Sequence, residues 1–551
     1  MCGIWAYILQ TPISNIYTID NTKEFPKNFK NALDASQSLQ CRGPDKSHHH
    51  IGDRHLFVFH RLAIHDLTSD GDQPFIMNFP DGTHIELICN GEIYNYKRLI
   101  QQFSFQMKSS SDCEVIGHLM HHYKFDIHSV LKILRGEFAF IAYVKNPDGY
   151  ERLIIGRDTF GVRPLYYGFT DNGLILSSMM SGIVKAITSN ENNPLCYHFP
   201  PGHFFDEEIK YISSRTFKMS CKDAFTSFKI MPFLQNNSEF FVATYYKQIT
   251  DTFINAIKIR LDSERDIGFF LSGGLDSSLV VAVATKILGL KNPKTFSIGF
   301  DENAPDIQFA QKVVVHLDTD HTRVLVDVET AISAVPEVIK ALETYDTTTI
   351  RASTPQYLLA KHISKNTFIK VILNGDGSDE VSMGYLYNYY APDDAIAHAD
   401  SLRLLREIHC FDGLRVDRTL GAHGLEARLP FLDIDYVETY LNVPVDFRRP
   451  TATSMEKQLL RDAFNTLYPD LLPKEVMYRK KEAFSDGVST LEKSWYKVLQ
   501  ERALAVNKTE KEWYKEIFDR EFPGQDHICP HFWMPQWTNA TDPSARTLTV
   551  Y

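Results

Sequence analysis

Residues 272–278 read Ser-Gly-Gly-Leu-Asp-Ser-Ser, directly after the apolar run 267–271 and before Leu279-Val280-Val281-Ala282-Val283-Ala284. A short buried strand running through a glycine turn into a helix start makes an anion site. Free backbone N–H groups converge there, and the helix dipole favours negative charge. Gly273 and Gly274 let the backbone approach a phosphate with no Cβ in the way. Ser272, Ser277 and Ser278 add hydroxyl donors, and Asp276 can face a metal-bound pyrophosphate. The other common phosphate loop, G-x-x-x-x-G-K-[ST], occurs nowhere in the chain.

A second set of reactive residues begins at Cys2. Removal of Met1 would leave a cysteine whose free α-amine, titrating near about 7.7–8.0, serves as general base for its own thiol. Arg61, in His60-Arg61-Leu62-Ala63-Ile64, offers a guanidinium suited to a carboxylate. Asn90 and the Gly91 N–H follow an apolar strand and suit an oxyanion hole. Glu92 and Asp112 add carboxylates. Together the groups match glutamine: a carboxylate for Arg61, an ammonium for Glu92 and Asp112, an amide for Cys2.

The elements that must position these groups differ between the two parts. Residues 1 to about 210 read as short strands, among them 56–59, 85–89, 138–143 and 153–155, with a helix around 112–123. They imply an α+β domain of layered antiparallel sheets flanked by helices. Phe199-Pro200-Pro201-Gly202 breaks the pattern near its end, and the polar stretch 211–240 reads as a linker. From 241 strands and helices alternate: strands 267–271, 295–300, 322–326 and 368–373, helices 279–289 and 306–316. That order predicts an α/β doubly wound parallel sheet with its site at the carboxyl ends of the strands, followed by a helical C-terminal part. Thr354-Pro355 has the form of a helix start.

A chain of 551 residues needs more than one core. Its net charge of −11 argues against nucleic acid as a partner. No apolar run is long enough for a membrane span. Eight cysteines without a C-x-x-C pair suggest reduced thiols and a cytoplasmic protein. The histidines at 48–50 and at 121–122 have no carboxylate or cysteine at ligand spacing, and read as solvated surface residues.

The 272–278 string resembles the loop of ATP pyrophosphatases, which split ATP to AMP and pyrophosphate. The strings Met-Cys-Gly-Ile, Arg42-Gly43-Pro44-Asp45, His60-Arg61-Leu62-x-Ile64, Asn90-Gly91-Glu92-Ile93-Tyr94-Asn95, Ser111-Asp112-Cys113-Glu114 and Gly156-Arg157-Asp158 resemble, in order, the class II N-terminal-nucleophile glutamine amidotransferases. The two halves joined are the layout of the glutamine-hydrolysing asparagine synthetase family, and the resemblance covers nearly the whole chain. It implies a glutaminase domain at 2–210, a linker at 211–240 and a synthetase domain at 241–551. In the first, Cys2, Asn90 and Gly91 are catalytic, and glutamine is bound by Arg61, Leu62, Ala63, Ile64, His65, Asn90, Gly91, Glu92 and Asp112. In the second, ATP meets Leu271, Ser272, Gly273, Gly274, Asp276, Ser277, Ile298, Asn374, Gly375 and Lys481. Aspartate meets Thr348, Thr349 and Arg351, with Asp376 catalytic. Mg²⁺ is held by Asp276 and Asp379. Ammonia would pass between the sites by a dry internal passage, and a homodimer is among the implied assemblies.

Among the departures from the family pattern S-G-E-G-S-D-E-x-F-G-G-Y are Asn374, Asp376 and Met383, where that pattern has serine, glutamate and glycine. Ser110 stands where the family often has glycine. The Asp376 carboxylate is one methylene shorter, which implies a working site of altered geometry. Two other readings remain at this point: an enzyme of the same layout acting on another carboxylate, or a nucleotide-binding scaffold that has lost synthesis.

Overall fold

The computed structural model describes residues 1–12, 27–187, 196–211, 218–221, 239–490, 493–544 and 548. Of the linker expected at 211–240, residues 212–217 and 222–238 lie outside the described residues. The chain forms two compact units. The first comprises residues 1–224 together with 421–425 and 519–528, and the second comprises 225–420, 426–518 and 529–551.

The first unit holds twelve described strands: β1 (Gly3–Leu9), β2 (Lys46–Ile51), β3 (His55–Arg61), β4 (Phe75–Asn78), β5 (His84–Ile93), β6 (Gly136–Lys145), β7 (Glu151–Arg157), β8 (Tyr166–Thr170), β9 (Gly173–Ser177), β10 (Cys196–His198), β11 (His203–Glu208) and β12 (Ser220–Cys221). They form two six-stranded sheets, ordered β10-β8-β9-β1-β3-β2 and β12-β11-β7-β6-β5-β4. Every pairing in both is antiparallel. Alternation along the central strands builds two cores at once. Ala139, Ile141 and Tyr143 of β6 and Ile88 of β5 pack with Ile4, Phe57 and Leu176 of the other sheet. Their neighbours Phe138, Phe140 and Ala142, with Leu87 and Cys89, pack instead with Ile116 and Leu119 of the helix Val115–His122. A layered α+β sandwich is what the sequence pattern predicts.

The second unit carries a parallel five-stranded sheet of β13 (Ile267–Phe270), β14 (Lys294–Gly299), β15 (Asp320–Leu325), β16 (Val371–Leu373) and β17 (Glu426–Arg428), ordered β15-β14-β13-β16-β17. The strand order reverses between β13 and its two neighbours, so the crevice of a doubly wound sheet opens at the carboxyl end of β13. The helix after β13 starts earlier than expected, at Leu275, so Asp276, Ser277 and Ser278 form its first turn. The fourth strand begins at Val371 and not at Phe368. Its partner β13 begins at Ile267, and Phe368 is 90% exposed beyond the sheet.

Thr354-Pro355 is not a helix start. The helix runs Thr347–Asn366, and its first N–H groups are capped by Asp346, which accepts from Thr349 N–H at 2.8 Å. Pro355 sits inside and has no N–H for the Arg351 carbonyl one turn back. The Trp495 indole N–H, 3.0 Å from that carbonyl, replaces the missing donor.

Candidate active site

In the first unit Cys2 lies at the entry to β1 and packs against the core between the two sheets. Its Sγ is 3.4 Å from Leu62 N, close to the exit of β3. Asn90 is fully buried on β5, two residues beyond Ile88 and therefore on the same face, and neither its Oδ1 nor its Nδ2 has a hydrogen-bond partner. A buried amide without partners costs free energy unless something arrives to use it. Gly91 follows, where a Cβ would stand 2.4 Å from Glu137 O. Glu92 and His65 are both buried and pair at 3.1 Å. Asp112 accepts from Ile93 N–H at 2.6 Å, fixing its helix turn against the end of β5.

Arg61 differs from its expected role. Its terminal nitrogens donate to Asp72 Oδ1 at 2.6 Å, to Thr68 O at 2.7 Å, to His65 O at 3.4 Å and to Asp66 O. The guanidinium thus braces the 62–72 loop that carries Leu62, Ala63, Ile64 and His65. Arg157 and Asp158 brace as well. Arg157 donates to Arg163 O and Gly161 O, each at 2.8 Å, while Asp158 accepts from Val162 N–H at 2.9 Å and Arg163 N–H at 3.0 Å. The expectation of solvated histidines holds for His49 and His122, which are exposed, and fails for two others: His50 Nε2 lies 2.8 Å from Glu86, and His121 Nε2 is 2.9 Å from Asp81. The fold brings these partners in from distant sequence, His50 to Glu86 from strand to strand and His121 from its helix to the turn before β5.

In the second unit one cleft at the carboxyl end of β13 gathers Leu271, Ser272, Gly274, Asp276, Ser277, Ile298, Thr348, Thr349, Arg351, Asn374, Gly375, Asp376, Asp379 and Lys481. Gly273, the remaining member of the expected set, turns the loop at φ +71°, and a Cβ there would lie 2.3 Å from Ala310 N. Ser272 and Ser277 hydroxyls meet at 3.0 Å across the turn. The Ser278 hydroxyl is buried without a partner.

Lys457, which no motif marks, is the centre of the cleft's charge. Its Nζ lies 2.5 Å from Asp276 Oδ2 and 2.6 Å from Asp379 Oδ1. Lys481 pairs with the other oxygen of Asp379. Burial disfavours the Asp379 carboxylate, yet the Lys457 and Lys481 ammonium groups outweigh it and hold its carboxyl well below the usual range. Ser378 Oγ donates to Asp276 Oδ1 at 2.8 Å. The two carboxylates carry hard oxygen donors of the kind Mg²⁺ takes, and in this structure the Lys457 ammonium sits between them.

Further along the cleft Asp376 is gripped by Arg415 Nη2 at 2.5 Å and by Asn374 Nδ2 at 2.7 Å. Burial raises the Asp376 pKa, and the Arg415 guanidinium opposes that rise. Arg479 ties the loop down: it donates to Ser272 O at 3.2 Å and to Asp306 at 2.8 Å.

The three residues expected to meet aspartate are placed unequally. Thr348 Oγ1 is buried with no partner. Thr349 Oγ1 donates to Asp346 at 2.7 Å, as part of the helix cap. Arg351 is surrounded by carboxylates of its own chain, Glu510 at 2.9 and 2.6 Å and Asp542 at 2.8 Å to both oxygens. An open guanidinium at position 351 is therefore not what the fold presents.

The comparisons with known proteins fit this division. The family model of asparagine synthase matches residues 248–404 and 392–542, and that of the glutamine amidotransferase domain matches 1–204. A glutamine-hydrolysing asparagine synthetase of Gallus gallus is 39% identical over 100% of this chain and 99% of its own. The Homo sapiens enzyme of that name is 38% identical over the same shares, 100% and 99%. A probable one from Acanthamoeba polyphaga mimivirus is 38% identical over 94% of this chain and 96% of its own. The chain belongs to the family of glutamine-hydrolysing asparagine synthetases.

Proposed function

We propose that this chain makes L-asparagine from L-aspartate, with ATP cleaved to AMP and pyrophosphate and with ammonia drawn from glutamine. The observation that carries the synthetase half is the Lys457 ammonium shared by Asp276 and Asp379 beside a helix N-terminus.

In the glutaminase half the Cys2 thiol, its proton taken by the α-amine exposed when Met1 is removed, attacks the carboxamide carbon of glutamine. The unpartnered Asn90 amide and the Gly91 N–H take up the charge on the oxyanion. Ammonia leaves, and water hydrolyses the thioester to glutamate. Glu92 and Asp112 supply negative charge toward the substrate ammonium. The loop 62–65, braced by Arg61, forms the wall.

In the synthetase half ATP lies across Leu271, the 272–278 loop, Ile298 and Asn374-Gly375. The aspartate β-carboxylate attacks the α-phosphorus, the bond to the bridging oxygen breaks, and pyrophosphate leaves toward Lys457 and Lys481. Ammonia then displaces AMP from β-aspartyl-AMP. Asp376, held by Arg415, is positioned to steer the ammonia. Thr348 has the spare hydroxyl for aspartate, whereas a substrate carboxylate reaches Arg351 only by displacing Asp542. Mg²⁺, held by Asp276 and Asp379, would neutralise charge on the pyrophosphate.

Whole-length likeness at 38–39% to synthetases supports aspartate over another carboxylate, and the intact charge cluster supports an enzyme over a scaffold. No described helix is long and apolar enough to cross a membrane. The sparse cysteines support a cytoplasmic location. A homodimer is the proposed assembly, checked by light scattering.

Purified protein with glutamine, aspartate and Mg²⁺–ATP should release one pyrophosphate per asparagine. Glutamine hydrolysis with no AMP formed would refute the reading. Cys2→Ala should abolish use of glutamine and spare use of ammonium salts.

A further inference from the structure

Glu86 is a carboxylate surrounded by imidazoles. Its Oε2 is 2.8 Å from His50 Nε2 and 2.8 Å from His55 Nε2, and its Oε1 is 2.8 Å from His84 Nε2. One ligand atom each from His50, His55 and Glu86 lie within 4.8 Å of one another. We propose that these residues form a binding site for a divalent transition cation of the Zn²⁺ class, separate from the glutamine and ATP sites.

The two sheets of the first unit build the cluster. His50 is the last residue but one of β2 and His55 opens β3, on either side of the tight turn closed by Gly52 N–H to His55 O at 2.9 Å. Their side chains are thus brought together by one hairpin. Glu86 and His84 stand two apart on β5, in the other sheet, and so share a face. Glu86 occupies the same strand phase as Ile88, which packs in the core between the sheets. His55 is fully buried and its ring lies 4.3 Å from that of Tyr143 on β6, which fixes one ligand firmly. The side chains of His50 and His84 remain 30% and 29% exposed, leaving an entry path and room for water as a further ligand.

The ligand chemistry selects the ion. Imidazole nitrogens with one carboxylate suit Zn²⁺ and its neighbours and not Ca²⁺ or Mg²⁺, which take oxygen. Bond lengths of about 2.0–2.1 Å in a tetrahedral site put neighbouring ligand atoms roughly 3.3 Å apart. The 2.8 Å separations are those of hydrogen bonds to the carboxylate, so a metal replaces the shared protons with an opening of about half an ångström. His84 holds the other Glu86 oxygen, and its Nδ1 lies 2.8 Å from Asn78 Oδ1, so the carboxylate ligand is oriented from behind by an anchored imidazole. An ion here would clasp the β2–β3 hairpin to β5.

Full-length protein stripped with a chelator is titrated with Co²⁺ and followed by visible absorption, then with Zn²⁺ to displace it. The expected result is one ion per chain, with a tetrahedral or five-coordinate d–d spectrum and none of the intense near-ultraviolet absorption of a cobalt–thiolate bond, which would instead mark Cys2. His50→Ala and, separately, the isosteric Glu86→Gln should each weaken binding by more than about tenfold. His121→Ala, at the Asp81 pair, should leave binding unchanged. Circular dichroism shows whether each variant is folded, and Glu86→Gln preserves side-chain volume if His50→Ala does not fold. Absence of binding by the parent protein, or binding undiminished in either folded variant, overturns the proposal.

Discussion

Asn374 holds Asp376 from both ends: its Nδ2 donates to Asp376 Oδ2 at 2.7 Å, and its Oδ1 accepts from Asp376 N–H at 3.1 Å. The family pattern has serine and glutamate at these positions, so the longer amide and the shorter carboxylate change together. With Arg415 on the other oxygen, the loop is built around an aspartate.

Asp376→Glu alone should therefore lower ammonia-dependent synthesis by about tenfold to a hundredfold, since the longer side chain meets both Asn374 and Arg415 and misplacement near 1 Å costs of that order. Asn374→Ser alone should also lower it, by leaving Asp376 half-held. The double variant should recover most of the loss, with a coupling of about 1–3 kcal/mol between the sites. Asparagine formation from ammonium salts measures all four proteins. Additive losses would show that the two positions act independently.

What was legible in the sequence was what punctuates locally. Gly273 and Gly274 between an apolar strand and a helix announce a phosphate loop, and the structure forms the turn there. Lys457 lies 181 residues from Asp276 in the chain, inside Ser454-Met455-Glu456-Lys457, and nothing local marks it as the partner of two carboxylates. The engagement of Arg351 by Asp542 spans 191 residues, so an arginine read as open is closed by a distant segment. The Thr354-Pro355 misreading has the same cause: a sound local rule loses to a Trp495 donor from elsewhere in the fold. Glu86 and the histidines it meets are likewise invisible until the strands pair.

Lys457→Met should separate the two activities. Without the ammonium, Asp276 loses the Lys457 pair and Asp379 keeps only Lys481, a loss on the order of 3 kcal/mol. Pyrophosphate release should fall by at least about a hundredfold. Glutamine hydrolysis at Cys2, in the other unit, should stay near the parent rate. Equal loss of both activities would mean global damage and not a missing charge.

Asp306 should give the synthetase a pH limb. Burial pushes its carboxyl up to about 6, against the opposing pull of the Arg479 guanidinium. Because the folded-state value lies above the unfolded one, the folded protein holds this proton more tightly. The resulting stability is fully present below about pH 4 and is lost as pH rises through about 6, on the order of 3 kcal/mol across that window. Function runs the other way, since the ionised form grips Arg479, which in turn holds Ser272 O. Synthesis should rise with pH through about 6 in the parent protein. In Asp306→Asn that limb should vanish, and the stability profile should flatten over the same window. Denaturant melts and initial rates from pH 4 to 8 check both; an unchanged limb in the variant would assign it to another group.

Met383 allows a test of strain against packing. It adopts φ +52° and ψ +43°, the left-handed region, at the end of the helix Ser378–Ser382, where the family pattern has glycine. A non-glycine residue there costs about 1 kcal/mol. The side chain is nevertheless fully buried, packed with Ala391, Ala397 and Val445. Met383→Gly relieves the backbone and forfeits burial worth about 3 kcal/mol, for a net loss of about 2 kcal/mol. Met383→Ala forfeits nearly the same burial and keeps the strain, so it should be less stable than Met383→Gly by about 1 kcal/mol. That order is the opposite of the ranking inside a helix and follows the preference for glycine at a left-handed C-terminal cap. Urea midpoints of the three proteins decide it: alanine more stable than glycine would show that the left-handed backbone is not under strain at this position.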